Sequence, residues 1–450
     1  MQYIILGIFI LSLGICVVGN LSILYALLLG MFLFMFYAYK IGFNKREIFN
    51  MLMEGVLKIK NILIIFGLIG ILTAVWRISG TIPFILYYSV NLIKPEIFLL
   101  STFLLCSAMS FLIGTSMGTA GTMGVICMMI SNTIGIDSLM TGGAILSGIY
   151  FGDRCSPMSS SAQLVAVLTD TEIYINIKNM IYTSIIPFII SCIFYYFISR
   201  DTLEVKLNTQ YVKLLGEYFD LNIVTIVPAF LILAFALLKI NVKISIGISI
   251  IMACIISIFV QNVSIQELVL CIINGYKSTS GDEVIGTLLN GGGLLSMVKV
   301  AGIVFISSTY SGILSKTDIL KSIKNKVSSL SKKTTSFGIS IIVSMLTVCV
   351  SCNQTLAVML VNELCGDLYK DKYELACSLE NTVIVISALI PWSIAVAVPF
   401  QIIGATSKSI SYAVYLILLP IWNFIISIKK NIRLLIHNLL VCNIIYILVY

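Results

Sequence analysis

The sequence predicts an all-α, polytopic membrane protein of about 11–13 transmembrane segments, arranged as two inverted repeats with discontinuous or re-entrant helices. Three observations predict it. Of 450 residues, 59% are hydrophobic and 11% charged, against about 25% charged in an ordinary soluble domain. Mean hydropathy is +1.06. No charged side chain occurs in residues 1–39, 97–136, 179–199, 244–266, 334–362, 381–407 or 409–428, and a helical crossing needs roughly 20 apolar residues. These runs are too long and alternate too little for barrel strands, and lipid offers no water to an open backbone.

Residues 1–39 hold two apolar runs parted near Gly19-Asn20. They read as a retained helical hairpin, because Met1-Gln2-Tyr3 lacks the positive start of a cleaved signal. An amphipathic stretch over 45–60 follows, then an apolar run (61–76) ending in the small-residue turn Arg77–Thr81. Residues 97–136 are long enough for two crossings around a polar interruption at Gly114–Gly121. The run 138–152 leads into a second polar patch, Ser147–Ser161, and 179–199 is a crossing. Residues 201–220 form a polar connecting loop. The order then recurs: apolar runs near 221–238 and 244–266, an amphipathic stretch near 264–277, and a run over 300–315 with the small-residue turn Ser311–Ser315. After these come a span interrupted at Ser351–Thr355, and a second patch running from Glu380–Thr382 to Pro391-Trp392. The predicted organisation is therefore a first repeat (1–200), the loop (201–220), a second repeat (221–430) and a C-terminal apolar helix (431–450). Corresponding Gly- or Pro-interrupted spans in two halves are the best sequence pointer to a transport site. A parallel duplication is the alternative to inversion.

The net charge of +8 reports orientation in a membrane protein, not affinity for nucleic acid. Lys316, Lys321, Lys324, Lys326, Lys332 and Lys333, opposed by Asp318 alone, place that loop in the cytoplasm, as does the basic stretch 40–60; both also suit anionic lipid. Twelve cysteines lie mostly in apolar runs, and Cys349-x-x-Cys352 lacks the surroundings of a redox or metal motif. The single histidine, His437, cannot build a metal centre. There is no P-loop, no resident cofactor is expected, and nothing resembles a nucleophile with its base, so an enzyme is excluded.

Four patches carry candidate chemistry. Gly114–Gly121 interleaves Thr115, Ser116 and Thr119 with Gly114, Gly118 and Gly121; exposed carbonyls and hydroxyls there suit Na⁺, though close helix packing through small residues uses the same composition. Asp153 and Arg154, adjacent at membrane depth, mark a functional site by default. Gly152 and Pro157 are read as helix breaks, with Ser156 beside Pro157 and Ser159, Ser160 and Ser161 on a following first turn whose free N–H groups suit an anion. Asn353, Gln354 and Thr355 interrupt a charge-free span. Glu380 and Asn381, read as a helix start, precede the break at Pro391. Lys299 falls between apolar turns and either snorkels, pairs, or places an ammonium inside the bundle.

At these residues the chain resembles the NhaC-type Na⁺/H⁺ antiporter family. The strings are Gly114–Gly124, Gly152-Asp-Arg-Cys-Ser-Pro-Met-Ser159, Gly292–Met297, Leu379-Glu-Asn381 and Leu389–Trp392, spread over most of the chain. The resemblance implies a secondary transporter that exchanges Na⁺ for H⁺ by alternating access, with a transient Na⁺ as its only metal. Some relatives exchange malate and lactate, so an organic-acid or amino-acid carrier of the same fold is the alternative. The family pattern carries an acidic residue after its Ser-Pro-Leu-Ser and a Glu-Asp pair before its Pro-Trp; here Ser160-Ser161 and Glu380-Asn381 stand there. The expected partners are a small ion or small organic solute and the lipid bilayer, with no nucleic acid. The expected location is the cell membrane of a bacterium, and a homodimer is compatible with the sequence.

Overall fold

A computed structural model describes residues 2–19, 21–57, 60–92, 94–200, 215–238, 240–278, 289–317 and 334–429. The predicted C-terminal helix over 431–450, most of the connecting loop and most of the basic 316–333 loop lie outside the described residues. So does the side chain of Lys299, whose backbone belongs to a helix.

Among the described residues the secondary structure is helical throughout, with one isolated bridge between Tyr276 and Gly291. In chain order the helices are α1 (Gln2–Val18), α2 (Ile23–Ile41), α3 (Lys45–Leu57), α4 (Lys60–Ile78), α5 (Thr81–Leu92) and α6 (Phe98–Ile113). They continue as α7 (Ser116–Ile134), α8 (Ser138–Cys155), α9 (Ser160–Thr169) and α10 (Ile173–Arg200). The second half has α11 (Val227–Leu237), α12 (Val242–Phe259), α13 (Ile265–Asn274), α14 (Leu294–Lys316), α15 (Ser336–Ser351), α16 (Gln354–Cys365), α17 (372–387), α18 (Ile394–Ile403) and α19 (Val414–Lys429). Of the described helices, α2, Pro95–Ile113, α7, α10 and Leu294–Leu314 are each long and apolar enough to cross a membrane. The bent pair Leu63–Ile78 and Thr81–Tyr88 makes a sixth. Shorter apolar helices of 10–17 residues flank the breaks.

Lipid, rather than water, is the solvent that explains which faces are buried. Along α10, Ile185, Ile189, Ile193 and Phe197 are exposed while Ser184, Ser191, Tyr195 and Ser199 are buried. That is the reverse of a soluble amphipathic helix and the arrangement expected when hydrocarbon is outside. Each inward hydroxyl finds a partner. Ser199 Oγ accepts from Leu99 N (3.0 Å), and Tyr195 OH donates to Tyr412 O (2.7 Å) and meets Ser147 Oγ (2.8 Å). One buried cluster spans both halves of the chain, and a second joins α1, α2 and α14 through the rings of Phe9, Phe34 and Tyr310.

Small residues set the closest helix approaches. Gly148 lies against Phe103 O and Cys106, and Gly152, one turn on, lies against the backbone of Ser110 and Phe111. This four-residue spacing lets α8 seat directly on α6. Gly152 is thus not a helix break but a contact point inside α8. Gly118 and Gly121 are likewise helical, and a single wide turn, 120–124, follows Gly118. The paired small-residue turns are also not equivalent: α4 and α5 bend by 65° at Ser79-Gly80, whereas α14 runs unbroken through Ser311–Ser315.

A methyl group at position 152 would overlap backbone that cannot yield. Gly152→Ala is expected to cost about 1–3 kcal/mol, read as a lower thermal midpoint of the detergent-purified protein. Gly247→Ala, with nothing within 4 Å of its Cβ, serves as the matched control and is expected to leave the midpoint unchanged or raised.

Candidate functional site

The two halves break their helices by the same local device. Helix α6 ends at Gly114 (φ 74°), whose amide donates to Ser110 O; Thr115 then adopts extended backbone and its Oγ1 accepts from Gly118 N (3.2 Å). Helix α15 ends at Cys352 (φ 54°), whose amide donates to Val348 O. Asn353 is then extended, and its Oδ1 accepts from Thr355 N (2.9 Å) and Leu356 N (3.4 Å). A left-handed residue followed by a side-chain cap stops one helix and starts the next with the freed amides already satisfied. Glycine takes the left-handed position without cost; a cysteine there stores about 1 kcal/mol.

Each half has a second break packed on its first. Helix α8 ends before Ser156-Pro157-Met158, and Ser159 caps α9 by accepting from Ser161 N (3.2 Å) and Ala162 N (3.3 Å). Those amides are therefore not free for an anion. Helix α17 ends at Ser387, the chain turns through Pro391, and Ser393 caps α18. Gly114 lies directly against Met158 and Ser159, and Cys352 O accepts from Ile394 N (2.9 Å). Tyr150 OH, on α8, donates to Ala395 O on α18 (2.7 Å), joining the two assemblies.

A cavity of about 540 Å³ opens where the breaks meet. Gly114, Thr115, Ser116, Asp153, Ser160, Asn353, Gln354 and Thr355 line it, so most of the residues singled out from sequence converge. Asp153 is its one carboxylate. It is 6% exposed, accepts from Ser159 Oγ at 3.0 Å, and has the hydroxyl and amide of Ser116 turned toward it. The cavity can coordinate a small cation through Asp153 and the hydroxyl and amide oxygens that line it. Asn241 and Lys243 from α12 also line it. They had no sequence signal, since a capping Asn and a Lys at a helix start look like any interfacial pair.

The remaining sequence candidates are elsewhere. Thr119 is buried and donates to Thr115 O, and Ser156 accepts from Met158 N at 3.2 Å. Glu380 and Asn381 do not open a helix; they sit in a wide turn (380–384) inside α17 and do not line the cavity. Asp153 and Arg154 do not pair either, because consecutive helical residues point about 100° apart. Arg154 turns away from the cavity, is fully buried, and donates from Nη1 to Tyr415 OH (2.7 Å) and from Nη2 to Met180 O (2.5 Å).

A family model described as the Na⁺/H⁺ antiporter family matches residues 148–428. The chain belongs to this family. The match begins at Gly148, on the contact face of α8, and covers nearly all of the second polar patch and of the predicted second repeat. Among curated relatives, the malate-2H⁺/Na⁺-lactate antiporter of Bacillus subtilis is 29% identical over 87% of this chain and 86% of its own length. The Na⁺/H⁺ antiporter NhaC of Alkalihalophilus pseudofirmus is 28% identical over 85% and 84%. The arginine/ornithine antiporter ArcD of Halobacterium salinarum is 28% identical over 78% and 75%. The chain is accordingly a multi-pass membrane transporter and not an enzyme.

Asn353 caps α16 at the cavity edge with one oxygen serving two amides. Asn353→Ala should cost about 1 kcal/mol of stability, measured by thermal unfolding in detergent. Asn353→Ser, which keeps a capping oxygen, should recover most of it.

Proposed function

We propose that this Na⁺/H⁺ antiporter family member exchanges Na⁺ for H⁺ across the cell membrane, with Asp153 as the carboxylate that holds the cation. The observation that carries the reading is the convergence of two capped helix breaks on one cavity around a single, nearly buried carboxylate. A carboxylate at membrane depth is costly unless a cation or proton neutralises it, so a vacated site favours refilling over remaining empty. Thr115, Ser116, Asn353 and Thr355 supply neutral oxygens around it.

Recurrence of the break geometry in both halves supports two transmembrane repeats meeting at the site. Movement of one against the other would expose the cavity alternately to the two sides. The crossing count of 11–13, the inversion of the repeats and a homodimeric assembly belong to the same proposal.

A specific observation favours a second reading. The cavity falls in the range of organic-ligand pockets, roughly 300–1,000 Å³, and carries Lys243 as well as Asp153. Relatives named for malate, lactate, arginine and ornithine exchange are similar in sequence to this chain over most of its length. An organic or amino acid would set its carboxylate toward Lys243.

Everted membrane vesicles holding a pH gradient separate the two readings. Na⁺ added to wild-type vesicles is expected to collapse the gradient, and Asp153→Asn is expected to abolish the response. A gradient untouched by Na⁺, with uptake of a labelled organic or amino acid, would replace the first reading with the second.

A further inference from the structure

Apart from the residues that line the cation cavity, Glu380 lies in a buried polar cluster that the cation site does not use. Glu380 is fully buried, and neither of its carboxylate oxygens has a hydrogen-bond partner. Beside it, Asn381 Nδ2 donates to Thr183 Oγ1 (3.2 Å) and approaches Cys377 Sγ (3.4 Å). Arg154, on α8, is fully buried as well, and its Nε is also unpartnered. Arg154 and Asp153 both act electrostatically on Glu380. The other titratable groups around it are the thiols of Cys155 and Cys377 and the phenol of Tyr415. The packed helices α9 and α15 bring no charged side chain, only the Cys349 thiol at the far end of α15. The single charged residue of α16, Glu363, is exposed.

With Asp153, Arg154 and Glu380 all ionised, this buried group holds one negative charge in excess. An uncompensated charge in a low-dielectric interior costs several kcal/mol even after relaxation. Two ways of removing it are available and they are alternatives. A Na⁺ on Asp153 leaves Glu380 to be balanced by Arg154. Without that cation, the single positive charge of Arg154 offsets only one of the two carboxylates, and Glu380 must hold a proton.

We propose that Glu380 is the proton-carrying site of the exchanger, separate from the cation cavity and coupled to it through Arg154. This rests on the Na⁺/H⁺ reading above and deepens it. The atoms balance: entry of one Na⁺ at Asp153 expels the Glu380 proton, and its departure readmits one, so both states carry the same net charge. Arg154 is a positioning residue that transmits the charge on Asp153 to Glu380. Asn381, Thr183 and Cys377 form the polar floor on which the proton is exchanged.

The test uses the purified full-length protein in lightly buffered detergent with a pH indicator, with radiolabelled Na⁺ binding measured in parallel. Wild type should release about one proton per cation bound. Glu380→Gln should keep Na⁺ binding and release almost none, with Na⁺-driven proton flux lost in proteoliposomes; Glu380→Asp should restore part of the release. In wild type, infrared difference spectra should show a protonated-carboxyl band that disappears on Na⁺ addition, a readout that holds even where the glutamine variant does not fold. Proton release or flux in Glu380→Gln equal to wild type, loss of its Na⁺ binding, or absence of that band would overturn the proposal while leaving wild-type exchange intact. A wild type whose pH gradient ignores Na⁺ would overturn the exchange reading, and this proposal with it.

Discussion

In a bilayer a polar group that leaves its helix has no water to turn to, and the arrangement of this protein follows from that constraint. Every helix break exposes backbone amides and carbonyls, and here each break carries its own remedy. Thr115, Ser159, Asn353 and Ser393 stand at the four helix starts, each accepting from the amides that the break releases. The donors are consumed locally, while the Asp153 carboxylate and the hydroxyl and amide oxygens of the lining face the cavity. That asymmetry favours a cation over an anion at the meeting point of the breaks, and it persists whether or not a ligand is present. The same constraint explains why α8 packs so tightly on α6. A cavity floored by Asp153 is tenable only if the helix carrying it is held rigidly, and Gly148 and Gly152 allow the backbones to touch.

Much of this was legible in the sequence, for identifiable reasons. Long charge-free runs have one physical solution, and a run interrupted by clustered hydroxyls and glycines must pay for its open backbone somewhere. Residues 114–116, 153, 160 and 353–355 could therefore be singled out, and they line one cavity. What failed was the attribution of function to each glycine. Gly114 is left-handed, as a break demands, whereas Gly118, Gly121 and Gly152 are helical and serve wide turns or close packing. Sequence composition does not separate those uses, because both depend on the missing Cβ. Cys352, left-handed without being glycine, gave no signal at all.

Direction was the second thing hidden. Asp153 and Arg154 read as adjacent charges marking one site, but the helix sends one into the cavity and the other toward Tyr415 and Met180. Glu380 and Asn381 read as a helix start at the site, yet they occupy a wide turn in mid-helix and are not among the residues lining the cavity. Such turns displace side chains from the regular 100° step and commonly mark functional positions. Two of them occur here, 120–124 and 380–384, each in a helix that borders the site.

The separation of Asp153 from Glu380 also gives a physical meaning to the neutral residues that distinguish this chain from the pattern it resembles. A carboxylate at 160 would face the cavity, and one at 381 would stand next to Glu380. Each added carboxylate would bring a further excess charge, and hence a further cation or proton, to each turnover. Asn381 instead donates to Thr183, which a carboxylate cannot do, and Ser160 leaves a neutral oxygen on the cavity wall. With those two charges absent, one bound cation and one proton suffice to neutralise the buried group in turn. The loss of acidic residues is therefore compatible with exchange, and it limits how much charge a single cycle can carry.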